Sequence, residues 1–276
     1  MAKLGEYNEL TVVKELDFGI YLDGDNDGEI LLPIRQVPPN IKIGDRLEVF
    51  LYKDSEDRLI ATTKEPFAII NEFAVLRVVD VNKTGAWLDW GLDKHLLVPF
   101  REQKQDMEAG KSYLVYIYKD IESNRLVASS KLDKFLDNLP IDYKEEEKVN
   151  LLISNQSDIG YVVIINNTHS GLLYKNEVFQ KLTRGQKIIG YIKKIRDDNK
   201  IDVILQKPGY NKISTIADDI LNKLRSQSGE IALGDKSSPD DIYKTFEISK
   251  KDFKKAIGKL YKDKKINISK NSITLI

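Results

Sequence analysis

Phe18-Gly19-Ile20-Tyr21-Leu22, Gly28-Glu29-Ile30-Leu31-Leu32-Pro33 and Ile43-Gly44-Asp45-Arg46-Leu47 follow one another, and the pattern returns twice further along. Gly19, Gly85 and Gly160 each introduce a short β-prone run, and Gly44, Gly110 and Gly185 follow them at an offset of 25. At offset 14, Pro33, Pro99 and Tyr174 close the apolar triplets Ile30-Leu31-Leu32, Leu96-Leu97-Val98 and Gly171-Leu172-Leu173. At offset 40 or 41, Leu59, Leu126 and Ile201 open a last strand after the polar turns Asp57-Arg58, Asn124-Arg125 and Asn199-Lys200. Four landmarks recurring three times in one order mark a triplication, which has to be found before any motif is read.

Each unit reads as five short strands. In the first they are Leu10 to Leu16, Phe18 to Leu22, Gly28 to Pro33, Arg46 to Lys53 and Leu59 to Thr63. Runs of this length, rich in Val, Ile, Tyr and Phe and bounded by Asp, Asn and Gly turns, argue β structure. A glycine within a strand marks a bulge or sharp bend, which a small barrel needs to close. Five strands in about 65 residues fit an OB-type barrel. From Ile213 the period becomes helical, with Ile213, Ile216, Ile220 and Leu224 on one face. Ser238-Pro239-Asp240-Asp241 is a helix start, with a capping hydroxyl, proline in the first turn and acids at the positive dipole end. Ser249 precedes a third helix with apolar Phe253, Ile257 and Leu260; Lys265 to Ile268 and Ser272 to Ile276 then read as a hairpin turning at Lys270-Asn271. Three helices and a hairpin are the order of a winged helix, a relative of the helix-turn-helix. The fold class is therefore mainly β: three tandem five-stranded OB-type barrels at 1–66, 67–140 and 141–210, followed by an α+β winged-helix domain at 211–276. The charged stretch Asp142 to Lys148 reads as a linker or exposed lead-in.

Composition narrows the function classes. The 276 residues are 41% hydrophobic, enough to bury a core. There are no cysteines, which excludes disulfides, thiolate nucleophiles and Cys-ligated metal sites. With only two histidines, His95 and His169, a multi-His metal site is hard to build. No apolar run reaches signal-peptide or membrane-spanning length, so the expectation is a cytoplasmic protein with no membrane partner.

The three quoted segments resemble the S-one RNA-binding motif, an OB-type repeat. Three such units followed by a winged helix resemble the conserved virulence factor B family of bacterial RNA-binding regulators, over essentially the whole chain. In the S-one motif an aromatic precedes the strand glycine, a second lies two positions after it, and an aromatic or His closes the next strand. The resemblance implies that these rings stack bases. The first unit offers Phe18 and Tyr21 but Pro33 at the third place. The second has Thr84, Trp87 and Pro99, with Phe100 beside the missing ring. The third has Ile159, Val162 and Tyr174, with Tyr161 shifted by one toward the opposite strand face. No unit keeps all three rings. A stacked base is worth roughly 1–3 kcal/mol, so each barrel alone is expected to bind weakly and tethered barrels to act together.

Net charge is zero in total, with Lys plus Arg 43 and Asp plus Glu 43, but it is unevenly distributed. Residues 1–66 have 8 basic and 14 acidic residues (net −6), and 67–140 have 10 and 11 (net −1). Residues 141–212 have 12 and 9 (net +3), and 213–276 have 13 and 9 (net +4). An acidic barrel is a poor phosphate binder, so Phe18 and Tyr21 read equally as nucleic-acid-binding rings or as core or a protein contact, with a basic protein as candidate partner. Tyr174 with Lys175 combines ring and cation in a basic unit, with Lys193, Lys194 and Arg196 as candidate phosphate contacts. Of Trp87 and Trp90, which flank a turn, one ring is expected to be exposed. In the third helix Lys250, Lys251, Lys254, Lys255, Lys259 and Lys262 surround the apolar stripe, and Lys264, Lys265 and Lys270 extend the charge into the hairpin. A solvated lysine face is the plain reading. The groove-reading place of this helix favours nucleic acid, single-stranded RNA first, with DNA or structured RNA as further ligands. Lacking Arg, Asn and Gln, it suits backbone contacts better than base readout.

Other signals carry less. Asp23 to Gly28 matches the start of an EF-hand loop, but Ile34 stands where the twelfth-position Glu is required, and strands flank it. Glu145-Glu146-Glu147 is a charge run whose adjacent side chains diverge, and no phosphate-cradling glycine motif occurs. The expectation is a protein that is not an enzyme, with no cofactor or metal. It would be an RNA-binding regulator using barrels two and three with the winged helix. The runner-up is a protein-interaction scaffold of the ribosome or RNA-processing machinery. A metal-dependent nuclease is the outsider, because the available acids are scattered over loops.

Overall fold

The structure is a computed structural model that describes residues 2–178, 180–206 and 212–276, the side chains of 212–215 excepted. Ile213 of the expected helical stripe and the 210/211 boundary fall outside the described side chains and residues. The first barrel comprises β1 (Tyr7–Leu16), β2 (Gly19–Asp23), β3 (Glu29–Pro33), β4 (Arg46–Lys53) and β5 (Leu59–Thr62). The second comprises β6 (Phe73–Asn82), β7 (Gly85–Asp89), β8 (Leu96–Pro99), β9 (Ser112–Lys119) and β10 (Leu126–Ser129). The third comprises β11 (Lys148–Gln156), β12 (Gly160–Ile165), β13 (His169–Tyr174), β14 (Lys187–Ile195) and β15 (Ile201–Ile204). All three are closed, with the same neighbour order 1-2-3-5-4 within each set of five. The third and fifth strands of each set pair in parallel, as at Leu31↔Ile60, Val127↔Leu97 and Gly171↔Ile201. That pairing closes the barrel and removes its edges.

The repeated spacings have physical causes. The first strand of every barrel carries a register shift opposite the second strand, between Val12 and Lys14, Val78 and Asp80, and Ile153 and Asn155. The bulge therefore lies in the first strand, not at the strand glycine where the sequence suggested it. The strand glycine answers to a close approach instead: a Cβ on Gly19, Gly85 or Gly160 would stand 2.3, 2.2 or 2.2 Å from the carbonyl oxygen of Leu32, Val98 or Leu173. The second glycine of each repeat is tied to the first strand at its bulge by a hydrogen bond. Gly44 N donates to Val12 O at 2.8 Å, Gly110 N to Val78 O at 2.8 Å, and Gly185 N to Ile153 O at 2.7 Å. Each of these turn glycines has positive φ (96°, 83° and 83°), the left-handed region that glycine adopts without strain.

The chain divides into two compact units, Met1–Ile141 with Asn166–His169, and Asp142–Ile165 with Ser170–Ile276. In the first unit the inward residues of barrel one, including Val12, Ile20, Leu22, Ile30, Leu32, Val49 and Leu51, form one core. The alternate residues of β4, Phe50 and Tyr52, belong instead to the core of barrel two, with Leu76, Leu88 and Trp90. β4 is thus buried on both faces, and its run Val49-Phe50-Leu51-Tyr52 is continuously apolar for that reason. Burying a side chain of this size contributes about 1.5–3 kcal/mol, so the two barrels are packed together rather than merely tethered.

In the second unit the tail forms α1 (Lys212–Ser226), β16 (Glu230–Ile231), α2 (Pro239–Phe246), α3 (Lys250–Lys262), β17 (Ile266–Ile268) and β18 (Ile273–Leu275). Ser238 and Ser249 cap α2 and α3, accepting from Asp241 N and Asp252 N, and Pro239 occupies the first turn of α2. Ile216, Ile220, Leu224, Ile242, Phe253, Ile257 and Leu260 pack into one core with Ile266 and Ile273. The wing has a third strand that the sequence reading lacked: β16 pairs with β18, giving the order β16-β18-β17. Among the described residues, no helix is long and apolar enough to cross a membrane.

Candidate nucleic-acid interface

The register shift fixes where the rings stand. Tyr21, Trp87 and Val162 pair with Lys14, Asp80 and Asn155, the residues that follow the bulge in each barrel, so the three positions are equivalent. Tyr161 pairs with Gln156, the register of Ile20 and Ala86, which are core positions in their own barrels. In barrel one Phe18 is 53% exposed and meets the half-buried Tyr21 edge to face at 6.2 Å. Lys14 Nζ lies 5.3 Å from the Tyr21 ring centre, but its charge is shared with Glu29 at 3.5 Å. Pro33 and Pro99 lie directly opposite Gly19 and Gly85, so the third ring place is in register and carries no aromatic.

Barrel two departs from the expectation. Neither tryptophan is exposed. Trp90 is 2% exposed, packs at 5.8 Å on Phe50 and 6.4 Å on Tyr52, and donates from Nε1 to Lys94 O at 2.6 Å. Trp87 is half-buried, and its Nε1 is enclosed without a hydrogen-bond partner among the described residues. The reason is tertiary: the 54–58 turn of barrel one closes over this side of barrel two. Lys94 donates to Asp54 O, and Asp57 pairs with both Lys94 and Arg125. Phe100, 51% exposed, follows β8 beside Arg101, which is held by Asp120 at 3.1 Å and Glu122 at 3.3 Å. Phe100 and Trp87 are therefore both in barrel two, but one is open and the other enclosed.

In barrel three Tyr174 is half-buried and Lys193 Nζ stands 5.6 Å over its ring. Lys193 is held by Glu177 at 2.6 Å, and Arg196 pairs with the buried Asp202 at 3.1 Å. Lys175 and Lys194 are exposed. Tyr174 and Lys193 are thus brought together, Lys175 follows Tyr174 on the exposed surface, and Arg196 is turned to an internal pair. On α3 the stripe Phe253, Ala256, Ile257 and Leu260 is buried, and Lys251, Lys254, Lys255 and Lys262 project outward; Lys250 and Lys259 are half-buried. Lys254 is paired with Asp235 at 2.9 Å. Lys251, Lys255 and Lys262 have no ion pair among the described residues, so their charge is available to a ligand.

The remaining candidates have structural explanations. Asp23 to Gly28 forms a closed turn in which Gly24 N donates to Gly28 O at 2.9 Å, between two paired strands. His169 is buried, with Nε2 2.9 Å from Leu139 O and Nδ1 3.0 Å from Thr168 Oγ1. Glu102 is buried, and burial opposes its charge; hydrogen bonds from Lys134, Ser129 and Tyr118 outweigh that and hold its carboxyl below the ordinary value. Sequence reasoning missed Tyr52, Lys53, Asp57 and Arg125, which line a cavity together with Trp87 and Trp90.

The S1 domain family matches residues 4–64 and again 72–131, and the CvfB-like winged helix domain family matches 218–275. The chain carries two S1 domains and, after them, a CvfB-like winged helix domain. The third barrel lies outside the matched ranges and joins the other two by its strand order, bulge and glycines. Relatives include the uncharacterized protein YitL of Bacillus subtilis, 28% identical over 95% of this chain and 90% of that protein. A Conserved virulence factor B of Staphylococcus epidermidis is 26% identical over 92% of this chain and 88% of its own length. A crystal structure of a multidomain protein with nucleic acid binding domains from Streptococcus pneumoniae is 25% identical, covering 99% of this chain and 98% of that one, with a TM-score of 0.43.

Proposed function

We propose that this S1-domain protein is a non-catalytic, cytoplasmic RNA-binding regulator that affects gene expression. Its modules are taken at 1–66, 67–140, 141–210 and 211–276. The observation that carries the reading is the face of α3: Lys251, Lys255 and Lys262 point away from a fully packed stripe and answer to no acid among the described residues. Tyr174 and Lys193 add a ring and a cation in barrel three, and residues 141–276 carry 25 basic against 18 acidic residues. Lysines without Arg, Asn or Gln grip phosphates rather than base edges, so binding is salt-dependent and weakly selective. Single-stranded RNA is the favoured ligand because its unpaired bases can stack on Tyr174 and Phe100. The same lysine face also suits DNA or structured RNA.

A second reading has its own support. Barrel one combines a net charge of −6 with exposed Phe18, Ile34 and Ile43, the surface of a scaffold that docks a basic protein. A filter-binding titration of the full chain with single-stranded RNA at two salt concentrations separates the two. The RNA reading expects binding at low salt that weakens at high salt, and at least a tenfold loss in a Tyr174→Ala, Lys251→Glu, Lys255→Glu variant. No binding at low salt, or no effect of the triple variant, overturns it and leaves the scaffold.

A further inference from the structure

Helix α3 carries a glycine that its own fold does not require. Gly258 stands inside the helix, and a Cβ built there would meet nothing within 4 Å. Neither a close approach nor a positive φ accounts for it, in contrast to the strand and turn glycines of the barrels. Glycine weakens a helix interior relative to alanine, so the bare position costs stability and gains no packing. We propose that a nucleic-acid backbone crosses α3 at Gly258 and that the exposed ring of Tyr261 beside it stacks an unpaired base, so that this helix holds a single strand in preference to a duplex. The inference rests on the RNA reading above and gives the strand its place on α3.

The surroundings of Gly258 carry the argument. Neighbours on a helix surface stand three and four residues apart. Those of Gly258 are Lys254 and Lys255 on the N-terminal side and Tyr261 and Lys262 on the C-terminal side, and all four are exposed. Lys255 and Lys262 answer to no acid among the described residues. Lys254 pairs with Asp235 at 2.9 Å, but both side chains of that pair are themselves exposed. Such a pair is worth little in water, so a phosphate can take its lysine. Lys251 adds a fourth cation two turns before the glycine, and at about 1.5 Å per residue the lysines from 251 to 262 span about 16 Å of helix. A strip of positive charge around a floor with no side chain fits a polyanion lying directly against the helix, because glycine lets another backbone approach closely.

Tyr261 supplies what the lysines lack. It is 57% exposed, and its ring and hydroxyl have no partner among the described residues. The apolar residues Phe253, Ile257 and Leu260 of the same helix are buried, so this ring is the one large apolar surface that α3 leaves in water. A ring among cations is the make-up of a single-strand platform, since every base has a face to stack. A base paired inside a duplex is already stacked on its neighbours, so only an unpaired base reaches the ring. Reading a duplex groove would instead call for Arg, Asn or Gln against base edges, and α3 has none of them. A duplex is left with the lysines alone, whereas a single strand gains the ring as well.

The full chain is titrated at low salt with one RNA strand and with the same strand annealed to its complement. Tyr261→Ala should weaken the single strand about fivefold or more and leave the duplex within about twofold, and Tyr261→Phe should restore the single strand. Gly258→Leu fills the floor and should weaken the single strand by about fivefold or more. Leucine is also the better helix former, so the variant should melt no lower than the wild type, which separates lost binding from lost fold. Gly258→Ala, with its smaller side chain, should bind with an affinity between the two and is the variant to use if leucine lowers the melt. Equal losses on both ligands in Tyr261→Ala, or none on either, overturn the stacked base. Glycine variants that fold and bind like the wild type overturn the crossing. Wild-type binding with all these variants unaffected removes this inference and leaves the RNA reading in place; no binding by the wild type removes both.

Discussion

Two glycines test how far single atoms control this chain, and they point in opposite directions. A Cβ on Gly85 would stand 2.2 Å from Val98 O, and the backbone there has φ 146°, so both contact and conformation exclude a side chain. Gly85→Ala is expected to destabilise the first unit by about 1–3 kcal/mol and lower its melting temperature by several degrees. Gly258 lies inside α3, where glycine is a poor helix former, and a Cβ there would meet nothing within 4 Å. Gly258→Ala should therefore stabilise the tail by about 0.4–1 kcal/mol. Thermal melts of both variants check the pair; a stabilised Gly85→Ala would refute the close-approach explanation of the repeated strand glycine.

Elements were legible where their cause is local. Turn glycines, helix caps and the α3 stripe are each decided within a few residues, and the sequence reading placed them. β16 was not legible, because two residues become a strand only through pairing with β18. The junction was missed for a similar reason, although β4 carried a signal. Val49-Phe50-Leu51-Tyr52 is apolar without alternation, which in a small barrel means that both faces are covered. Trp87 accordingly lost its expected open face to a turn of the preceding barrel, 30 residues away in sequence (Asp57). Tyr52 on β4 makes the junction sensitive to alkali. Burial, and then the carboxylates of Asp93 and Asp54, push its phenol up from 10.0 to about 12. Its neutral form is thus favoured by folding: the stabilisation is intact below pH 10, falls between 10 and 12, and is gone above. Stability of the first unit should decline over that window, and Tyr52→Phe should flatten the decline. Tyr116 and Tyr118, also raised by burial, keep it from vanishing. Urea midpoints across the window decide this, and an unchanged slope in Tyr52→Phe would sink it.

For the whole molecule, the zero net charge conceals a gradient from −6 in the first segment to +4 in the last, and the gradient separates two kinds of chemistry. Lysines on α3 suit phosphates, which carry no sequence information, whereas the acidic surface of the first barrel repels them. The two should respond differently to salt. Each lysine that neutralises a phosphate releases counterions, so the logarithm of affinity falls with the logarithm of salt by about 0.7 per contact on a single strand. Lys251 and Lys255 lie one turn apart on the exposed face and are free of acids among the described residues, so both can act. In the full chain, Lys251→Gln with Lys255→Gln should reduce the salt slope for RNA by about 1.4 and weaken binding at low salt. Lys3→Gln with Lys64→Gln, in the acidic barrel where those lysines pair with Glu6 and Asp93, should leave the slope unchanged. Equal slopes in the two double variants would mean that the gradient has no bearing on where phosphate is held, and the lysine face of α3 would then be solvated surface.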